Sequence, residues 1–567
     1  MPMFLLETLQ KHKDLGRFKP FLVSHEDGLT RQFSYGDAFD ETRRWADILS
    51  RNLVQKGDIV FLALKHRHEI YFGFLGAMWL GAIPAIIPFP TPKQDMDIYW
   101  REYRAMFAQV NPRLLVTYAD NIPAIRDALA KQPCTILDID DRSLVSATAL
   151  SELKPVCGAL NDTALLQFSS GTTGLRKGVM LSHGQLLQHM VAYSQAIGFS
   201  SKDIVASWLP LYHDMGLIAC FLLPLYAGAT IVSLDAFEWV AQPWKLLQAL
   251  DTYRATFAWM PNFALQHVVR TLPGDLVFDL QHVRAVINCS EVCRPQTAQT
   301  FLDTMRSHGL RAEQLQTCYG MAEAVFAISQ SSLETSPRSV TVDRYLLERF
   351  SRARIVDPYY RNGQTFLSCG HVLESVQLRI VPLAPADEVL SSTLDAAPGD
   401  IDVGEIQIRG GYLFSGYFRN DDATRAAMTD GWYKTGDIGF IEAEELFICG
   451  RLKEILIVHG RNYYANDIEG IVSQVDGIKP GRAVAFSIED ADSDSEEVIL
   501  LAESDATAGE TRTSIQRAVK TAVFNRMELT LRSVLLVAPG TLIKTTSGKL
   551  CRETNKTRYL HAESMKA

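Results

Sequence analysis

Residues 166–184 read LQFSSGTTGLRKGVMLSHG, a polar turn between two apolar runs, and they carry the strongest local signal in the chain. The apolar residues before the turn, 163–168, predict a buried strand. Small residues allow backbone N–H groups to turn toward an anion, and Arg176 and Lys177 add positive charge. We therefore predict a phosphate-binding loop, held at both ends, that comprises Ser169, Ser170, Gly171, Thr172, Thr173 and Gly174.

This loop differs from the Walker A phosphate loop. Lys177 is followed by Gly178 rather than by Ser or Thr, and the spacing of the glycines is different. A flexible loop rich in Ser, Gly and Thr is the alternative that composition alone leaves open. The buried strand before the loop and the Lys-Gly pair after it favour phosphate binding.

The composition bounds the class of protein. A chain of 567 residues is too long for one hydrophobic core and predicts about three to four structural units. The hydrophobic fraction of 47% and the charged fraction of 21% are typical of a soluble globular protein. A formal net charge of -9 argues against a nucleic-acid-binding protein, which needs a basic face. The nine cysteines show no zinc-site spacing, so we expect reduced thiols in a cytoplasmic protein.

Two long apolar segments resemble membrane spans in length. Residues 71–90 contain no charge over twenty positions, and residues 215–234 are similar. Gly81 interrupts the first segment, and Pro224 and Gly228 interrupt the second. We therefore predict buried helices followed by strands, and no membrane span. The N-terminus combines a short apolar run with early charges, which argues against a signal peptide.

Strand and helix patterns alternate along most of the chain. Residues 36–53 have the apolar spacing of an amphipathic helix, whereas residues 58–64 and 283–287 read as buried strands. This alternation predicts an α/β fold with a doubly wound sheet rather than a sandwich or a helical bundle.

A second polar constellation lies within residues 207–217, SWLPLYHDMGL. His213 and Asp214 are adjacent, but adjacent side chains point in different directions and do not form a catalytic pair by adjacency alone. A histidine packed under a loop is the alternative to an active-site histidine.

The segment SSGTTGLRKG, residues 169–178, resembles the phosphate loop of the adenylate-forming superfamily. This superfamily includes acyl-CoA synthetases, luciferases, peptide-synthetase adenylation domains and fatty acyl-AMP ligases. Further stretches are similar to its motifs, in the same order, from about Thr30 to Arg552: residues 207–217, 288–291, 317–323, 431–437, 450–454 and 539–552. The resemblance implies a large N-terminal domain, residues 1–452, of doubly wound sheets with a small β-rich subdomain. It also implies a small mobile C-terminal α/β domain, residues 453–567, with the hinge at Lys453.

The resemblance assigns catalytic roles to several residues. Lys549 would bridge the carboxylate substrate and the α-phosphate, where the negative charge of two anions must be offset. Lys177 would neutralise phosphate charge, and His213 would form a wall between the acyl pocket and the phosphate site. Glu323 would hold Mg²⁺, a hard cation that prefers oxygen ligands, together with Thr172.

The resemblance also implies a nucleotide site for ATP. Tyr319 would stack on the adenine, and Asp437 would accept both ribose hydroxyls with Arg451 as a further donor. The implied set comprises the loop residues Ser169, Ser170, Gly171, Thr172, Thr173 and Gly174, the adenine-site residues Ser290, Glu291, Cys318, Tyr319, Gly320 and Met321, and Asp437, Arg451 and Lys453.

Three features are similar to fatty acyl-AMP ligases in particular. Ala322 stands where many relatives have Thr, and the same Ala is common in these ligases. Residues 343–366 form an extra segment at the place of an insertion that is thought to restrain the C-terminal domain and to disfavour coenzyme A. A surface loop of no consequence is the alternative. Arg461 precedes an Asn as in these ligases, whereas Ala465 departs from their usual Pro.

The resemblance implies a function. The protein would activate a fatty acid with ATP to acyl-AMP and pyrophosphate, and pass the acyl group to the phosphopantetheine thiol of an acyl carrier protein. A long-chain acyl-CoA synthetase is the near alternative. A non-catalytic adenylate-binding or scaffold protein is the distant alternative. Scaffolding needs none of the site residues that this chain retains, which argues against it: Lys177, Glu323, Asp437, Arg451 and Lys549.

Overall fold

The chain forms two compact units in the computed structural model. The first comprises Met1–Pro337, Cys369–Gln377 and Arg409–Gly431, and the second comprises Arg338–Ser368, Leu378–Ile408 and Trp432–Ala567. The structure describes residues 4–90, 96–129, 134–141, 153–156, 158–169, 176–383, 398–459, 461–489, 496–506, 509–544 and 550–564. Across these ranges there is no helix long and apolar enough to cross a membrane.

The part of the chain before Arg338 belongs entirely to the first unit. Its strands are β1 (Pro20–Glu26), β2 (Leu29–Ser34), β3 (Ile59–Leu62), β4 (Ile83–Ile86), β5 (Leu114–Thr117), β6 (Thr135–Asp138), β7 (Thr163–Ser169), β8 (Lys177–Ser182), β9 (Ile204–Ser207), β10 (Thr230–Ser233), β11 (Phe257–Pro261), β12 (Ala285–Cys289), β13 (Leu315–Gly320) and β14 (Ala327–Gln330). Its helices are α1 (Leu5–Gly16), α2 (Tyr35–Arg51), α3 (His68–Trp79), α4 (Met96–Val110), α5 (Ile122–Ala128), α6 (His183–Ala196), the π-helix Met215–Leu222, α7 (Leu223–Ala227), α8 (Ala236–Ala241), α9 (Lys245–Thr252), α10 (Asn262–Thr271) and α11 (Pro295–Met305).

The remaining elements follow from Arg338 onward. The strands are β15 (Ser339–Asp343), β16 (Arg352–Ala353), β17 (Ile355–Val356), β18 (Gly363–Leu367), β19 (His371–Val372), β20 (Val376–Pro382), β21 (Ile401–Asp402), β22 (Gly404–Gly410), β23 (Met428–Thr429), β24 (Trp432–Glu442), β25 (Glu445–Arg451), β26 (Ile455–Val458), β27 (Arg461–Tyr464), β28 (Ala483–Glu489), β29 (Glu496–Glu503) and β30 (Leu531–Val537). The helices are α12 (Arg344–Phe350), α13 (Asp421–Ala427), α14 (Ala465–Val472), α15 (Gly509–Met527) and α16 (Arg552–Ser564).

The first unit is built on a largely parallel sheet. Within the described residues its strand order is β19-β14-β13-β12-β11-β9-β10-β1-β2, and the six strands from β13 to β1 run parallel. A second parallel sheet has the order β4-β3-β5-β6, and β7 and β8 form an antiparallel hairpin. The α/β class predicted from the alternating pattern is confirmed.

Both apolar segments that matched the length of a membrane span belong to the core of this unit. Residues 71–90 contain most of α3 and all of β4, and α3 is buried from Ile70 to Trp79. A side chain at Gly76 would approach Trp45 Cβ on α2 at 2.6 Å, so the missing side chain allows the two helices to pack closely. Residues 215–234 contain the π-helix, α7 and β10. The predicted succession of buried helix and strand is confirmed for both.

Local capping fixes where the hairpin strand β8 ends. The backbone N–H of Ser182 donates to Gln185 Oε1 at 2.8 Å, and the backbone N–H of Gln185 donates to Ser182 Oγ at 3.2 Å. This reciprocal pair satisfies two amides that the first turn of a helix leaves open. Helix α6 therefore begins directly after the strand that starts at Lys177.

The second unit contains smaller sheets. Strand β24 pairs with β22 and β25, β15 pairs with β17 and β18, β26 pairs with β27, and β29 lies between β28 and β30. Helices α14 and α15 pack on the last of these sheets around a cluster that includes Ile468, Val519 and Leu500. The boundary predicted between Leu452 and Lys453 lies inside this unit, and it stays a prediction.

Candidate active site

The carboxyl ends of parallel strands bring several predicted site residues to one edge of the large sheet. His213 follows β9, Ser290 follows β12, and Tyr319 and Gly320 form the end of β13. In open parallel sheets the loops after the strand carboxyl ends are where ligands bind. The order of the strands thus groups residues that are more than one hundred positions apart in sequence.

The predicted phosphate loop connects the two strands of the hairpin. Ser169 on β7 lies opposite Lys177 on β8 in the antiparallel register. The predicted loop residues Ser170, Gly171, Thr172, Thr173 and Gly174 lie outside the described residues, as does the side chain of Ser169. The strand predicted over residues 163–168 is therefore confirmed, whereas phosphate binding by the loop stays a prediction.

The two cations after the loop have different partners. Arg176 is largely buried, and its Nε lies 3.3 Å from Glu102 Oε2 on α4. Lys177 Nζ lies 4.6 Å from the ring centroid of Tyr417, within the range of a cation–π contact. The charge of Arg176 is thus engaged by a carboxylate of the protein itself, whereas Lys177 rests on an aromatic face.

Tyr417 also contacts the predicted metal ligand. Its hydroxyl donates to Glu323 Oε1 at 2.8 Å, and both residues are buried. Glu323 Oε2 makes no hydrogen bond to any residue that the structure describes, so one carboxylate oxygen is held and the other is open. An open carboxylate oxygen is a suitable ligand for a hard divalent cation. Glu323 and Lys177 are therefore brought together through Tyr417, a residue that sequence reasoning did not single out.

The backbone around Tyr417 is tied to both partners. Phe414 N–H donates to the carbonyl of Glu323 at 2.8 Å, and Phe418 N–H donates to the carbonyl of Gly178 at 2.7 Å. Between these two bonds, Met180 N–H donates to the carbonyl of Gly416 at 3.0 Å. Residues 414–418 thus connect strand β8 to the turn that carries Glu323.

The turn that carries Glu323 has an uncommon backbone. Val325 has φ 64 and ψ −59, and Phe326 N–H donates to the carbonyl of Ala324 at 2.7 Å. These values define a γ-turn of the strained kind, which is rare for a β-branched residue. Strained backbone conformations persist where the surrounding structure enforces them, and they concentrate at functional sites. Nothing in the local sequence predicts this turn.

The predicted adenine-site residues lie at the start of the same turn. Tyr319 and Gly320 on β13 pair with β14, and Met321 N–H donates to the carbonyl of Phe326 at 2.8 Å. Cys318 is buried, and burial raises the pKa of its thiol, which makes it a packing residue rather than a nucleophile. The stacking role of Tyr319 stays a prediction.

His213 is held between the hairpin and the π-helix. Gln167 on β7 donates through Nε2 to the carbonyl of Tyr212 at 2.8 Å, and Leu217 N–H donates to the carbonyl of His213 at 2.8 Å. Asp214 Oδ1 accepts from Met215 N–H at 2.8 Å and so caps the π-helix. A π-helix is rare, and π-helical geometry is frequent at functional sites. The wall role predicted for His213 agrees with this position but is not tested by it.

Ser290 and Glu291 form the turn after β12. Ser290 has φ 73, in the left-handed region, and its Oγ lies 3.7 Å from Met215 Sδ. Glu291 Oε2 accepts from Phe263 N–H at 3.1 Å, which places the carboxylate at the N-terminus of α10. These contacts link the predicted adenine turn to the π-helix and to the first residues of α10.

The predicted ribose residues belong to the second unit. Asp437 and Arg451 are opposite each other on β24 and β25, and Arg451 Nε lies 2.9 Å from Asp437 Oδ1. Asp437 N–H donates to Thr435 Oγ1 at 3.0 Å. Lys453 is exposed in the short turn Leu452–Glu454, and the predicted catalytic Lys549 lies outside the described residues.

Comparison with known proteins identifies the family that the sequence motifs resemble. The sequence pattern of the AMP-binding enzyme family matches residues 14–418. A 4-hydroxyphenylalkanoate adenylyltransferase of Mycobacterium marinum is 31% identical over 92% of this chain and 86% of its own length. The medium-chain-fatty-acid–[acyl-carrier-protein] ligase JamA of Moorena producens is 30% identical over 98% of this chain and 94% of its own length.

A similar structure comes from work on fatty acyl-adenylate ligases from E. coli and L. pneumophila. The two structures superpose with a TM-score of 0.88 and 25% sequence identity, over 100% of this chain and 99% of the other. The resemblance proposed from the motifs is therefore confirmed at the level of the superfamily. On the family pattern over residues 14–418 and on two relatives of at least 30% identity, this chain belongs to the AMP-binding enzymes of the adenylate-forming superfamily.

Proposed function

We propose that this protein activates a fatty acid with ATP and transfers the acyl group to the phosphopantetheine thiol of an acyl carrier protein. The observation that carries the proposal is the similarity, over 98% of the chain, to a ligase named for a medium-chain fatty acid and an acyl carrier protein. The relative from Mycobacterium marinum favours a second candidate acid, a 4-hydroxyphenylalkanoate, because its name gives that substrate.

In the first half-reaction a carboxylate oxygen attacks the α-phosphorus of ATP. A bond forms between this oxygen and phosphorus, the bond from phosphorus to the bridging oxygen breaks, and pyrophosphate leaves with the electron pair. Carboxylic acids are ionised at neutral pH, so the nucleophile needs no general base. The protein contributes positioning and neutralisation of charge, as in other phosphoryl-type transfers.

Several residues would neutralise the negative charge of the ATP phosphates. The amides and hydroxyls from Ser169 to Gly174 would cradle the phosphates, with Lys177 and Lys549 as cations. Glu323 and Thr172 would hold Mg²⁺, and the open Oε2 of Glu323 supports this assignment. When bound, the cation would offset negative charge on the leaving pyrophosphate. His213 would separate this charged region from the acyl pocket.

The nucleoside would be held by residues from several turns. Tyr319 would stack on the adenine, flanked by Cys318, Gly320 and Met321 and by the turn of Ser290 and Glu291. Asp437 would accept the ribose hydroxyls, with Arg451 as a further donor. The ion pair between these two side chains supports this role, because it orients a buried carboxylate with one oxygen on the arginine.

In the second half-reaction the thiol sulfur forms a bond to the acyl carbon, the bond from that carbon to the phosphate oxygen breaks, AMP leaves with the electron pair, and the thiol proton is released to solvent. A small domain, residues 453–567, would rotate about Lys453 to admit the thiol, a conformational gate of a kind common in enzymes. Residues 343–366 would disfavour coenzyme A. The cysteines of the described residues are free thiols, which is consistent with the reducing cytoplasm that we propose as the compartment.

The test is product analysis after the protein is mixed with ATP, Mg²⁺ and a panel of acids. The panel should include medium- and long-chain fatty acids and a 4-hydroxyphenylalkanoate, each with coenzyme A, with a carrier protein bearing phosphopantetheine, or with neither. We expect acyl-AMP without a thiol and acyl-carrier thioester when the carrier is present. Efficient formation of acyl-CoA would make the protein an acyl-CoA synthetase, and absence of adenylate from every acid would refute the proposal.

A further inference from the structure

We infer that Tyr417 is a positioning residue that holds the Glu323 carboxylate for a divalent cation and holds Lys177 beside it. The inference rests on the proposed function, because it assumes that Glu323 serves bound metal and ATP. Its geometric basis is independent of sequence motifs: the two partners are 240 and 94 positions from Tyr417, and both contact the same side chain.

The hydroxyl acts on the carboxylate. A bond of 2.8 Å from the Tyr417 hydroxyl to Glu323 Oε1 is short enough to fix the orientation of the carboxylate plane. With Oε1 occupied, Oε2 is the oxygen left to bind a cation. Residues that orient metal ligands are nearly as important as the ligands, and their loss typically lowers metal affinity or activity by about 10- to 100-fold.

The ring acts on the lysine. Lys177 Nζ lies 4.6 Å from the ring centroid, so the aromatic face attracts the ammonium group and limits where it can move. Without this contact a lysine samples many rotamers, and fixing it on binding would cost conformational entropy. Tyr417 therefore positions the Lys177 ammonium through its ring and the Glu323 carboxylate through its hydroxyl.

Tyr417 is itself rigid enough for this role. The residue is 3% exposed, and its backbone forms a bridge to Val179 on β8. Its N–H donates to Thr424 Oγ1 at 2.9 Å, at the first turn of α13. A positioning side chain must be locked by its own surroundings, and this one is held by both backbone and packing.

The chain offers a matched control in Tyr412. This residue is fully buried in the same segment, and its hydroxyl has no hydrogen-bond partner in the portion of the chain that the structure describes. Tyr417→Phe and Tyr412→Phe each remove one buried phenolic oxygen and keep the ring. Only the first removes a contact to Glu323.

The experiment measures metal affinity apart from turnover. Binding of Mn²⁺ in the presence of a non-hydrolysable ATP analogue is followed by electron paramagnetic resonance for wild type, Tyr417→Phe, Tyr412→Phe, Glu323→Gln and the double variant Tyr417→Phe/Glu323→Gln. We expect Tyr417→Phe to weaken Mn²⁺ binding by about tenfold. We expect Tyr412→Phe to bind like wild type, and Tyr417→Phe to add little in the Glu323→Gln background, because the two changes share one interaction.

Thermal unfolding provides the control for folding: Tyr417→Phe should still unfold in one cooperative transition, at a somewhat lower midpoint because a buried carboxylate loses one hydrogen bond. Equal Mn²⁺ affinities for Tyr417→Phe and Tyr412→Phe would overturn the inference, as would additive effects of Tyr417→Phe and Glu323→Gln. The binding assay contains no acid substrate, so it tests the positioning role of Tyr417 without requiring adenylate formation. If the wild type binds Mn²⁺ with the analogue but makes no adenylate in the product analysis, the proposed function is refuted and the binding assay still decides the role of Tyr417.

Discussion

Asp437 and Arg451 lie directly opposite each other on neighbouring antiparallel strands, with 2.9 Å between Oδ1 and Nε. The two side chains differ in burial: that of Asp437 is 8% exposed and that of Arg451 is 50% exposed. A buried carboxylate costs free energy unless it is paired, so the arginine stabilises the charge of Asp437 while its own outer face stays in contact with solvent.

We expect Asp437→Asn to weaken ATP binding. The amide keeps the size of the side chain but replaces one acceptor with a donor and removes the charge. Hydrogen bonds to charged groups contribute about 1.5–3 kcal/mol, so the KM for ATP should rise by roughly 10- to 100-fold with a smaller change in kcat. The measurement is the rate of pyrophosphate release as a function of ATP concentration.

Arg354→Ala provides the comparison for Asp437→Asn. Arg354 donates to Asp400 through two hydrogen bonds of 2.7 and 3.0 Å in the same unit, and neither residue has a predicted ligand role. Loss of this pair should leave the KM for ATP unchanged. A similar rise in KM for both variants would show that the effect of Asp437→Asn is structural.

Lys549→Ala should separate the two half-reactions. The lysine is proposed to offset the charge of the carboxylate and the α-phosphate, which matters only while the adenylate forms. We expect adenylate formation to fall by at least about 1000-fold, a loss of roughly 4 kcal/mol of transition-state stabilisation, whereas thioester formation from supplied acyl-AMP stays near the wild-type rate. Lys544→Ala, in the same C-terminal segment, should retain both activities. Equal loss of both half-reactions in a folded Lys549→Ala protein would contradict the assigned role.

Sequence reasoning predicted those elements that depend on contiguous residues. The apolar run 163–168 is strand β7, and the uncharged segment 71–90 is a buried helix and a strand. In each case consecutive residues are buried together, so a continuous run of apolar side chains predicts the element. The antiparallel pairing of β7 with β8 was not predicted, because it depends on the register between two strands rather than on one run of residues.

Tyr417 was not predictable in this way. Its contact with Glu323 spans 94 positions, and the residues around it, Ser-Gly-Tyr-Phe, resemble any surface turn that contains a glycine. The strained turn at Val325 was not predictable either. Valine disfavours a positive φ, and the surrounding structure imposes this conformation on it. The two compact units also combine segments that are distant in sequence, which a reading along the chain does not reveal.

Gly320→Ala should destabilise the first unit and impair activity. A Cβ at this position would collide with the backbone carbonyl of Phe326, on the turn that carries Glu323. Backbone cannot move aside as a flexible side chain can, so we expect a loss of about 1–3 kcal/mol in the free energy of unfolding and weaker metal binding. Gly274→Ala is the control, because nothing lies within 4 Å of a Cβ there. Equal midpoints of thermal unfolding for the two variants would show that the close approach at Gly320 is tolerated.

Glu348 gives the protein a pH-dependent stability that can be tested directly. Its side chain is buried on α12, which packs against β27, and Oε1 has no hydrogen-bond partner in the chain as the structure describes it. Burial raises the pKa of Glu348 from 4.5 to about 8; Arg344 and Arg461 oppose the rise, whereas Asp467 and Glu528 add to it. Because the pKa is higher in the folded state, the stability that the neutral carboxyl contributes is fully present below pH 4.5 and is lost as the pH rises through about 8.

Glu348→Gln removes this ionisation and keeps the shape of the side chain. The variant and the wild type should therefore unfold at similar temperatures near pH 5, and the variant should be more stable at pH 9 by about 1–4 kcal/mol, since each unit of pKa shift corresponds to about 1.4 kcal/mol. The measurement is thermal unfolding of both proteins from pH 5 to pH 9, with the exposed Glu334→Gln as the control that should follow the wild type. A difference between variant and wild type that stays constant over this range would mean that Glu348 is already ionised in the folded protein at pH 5.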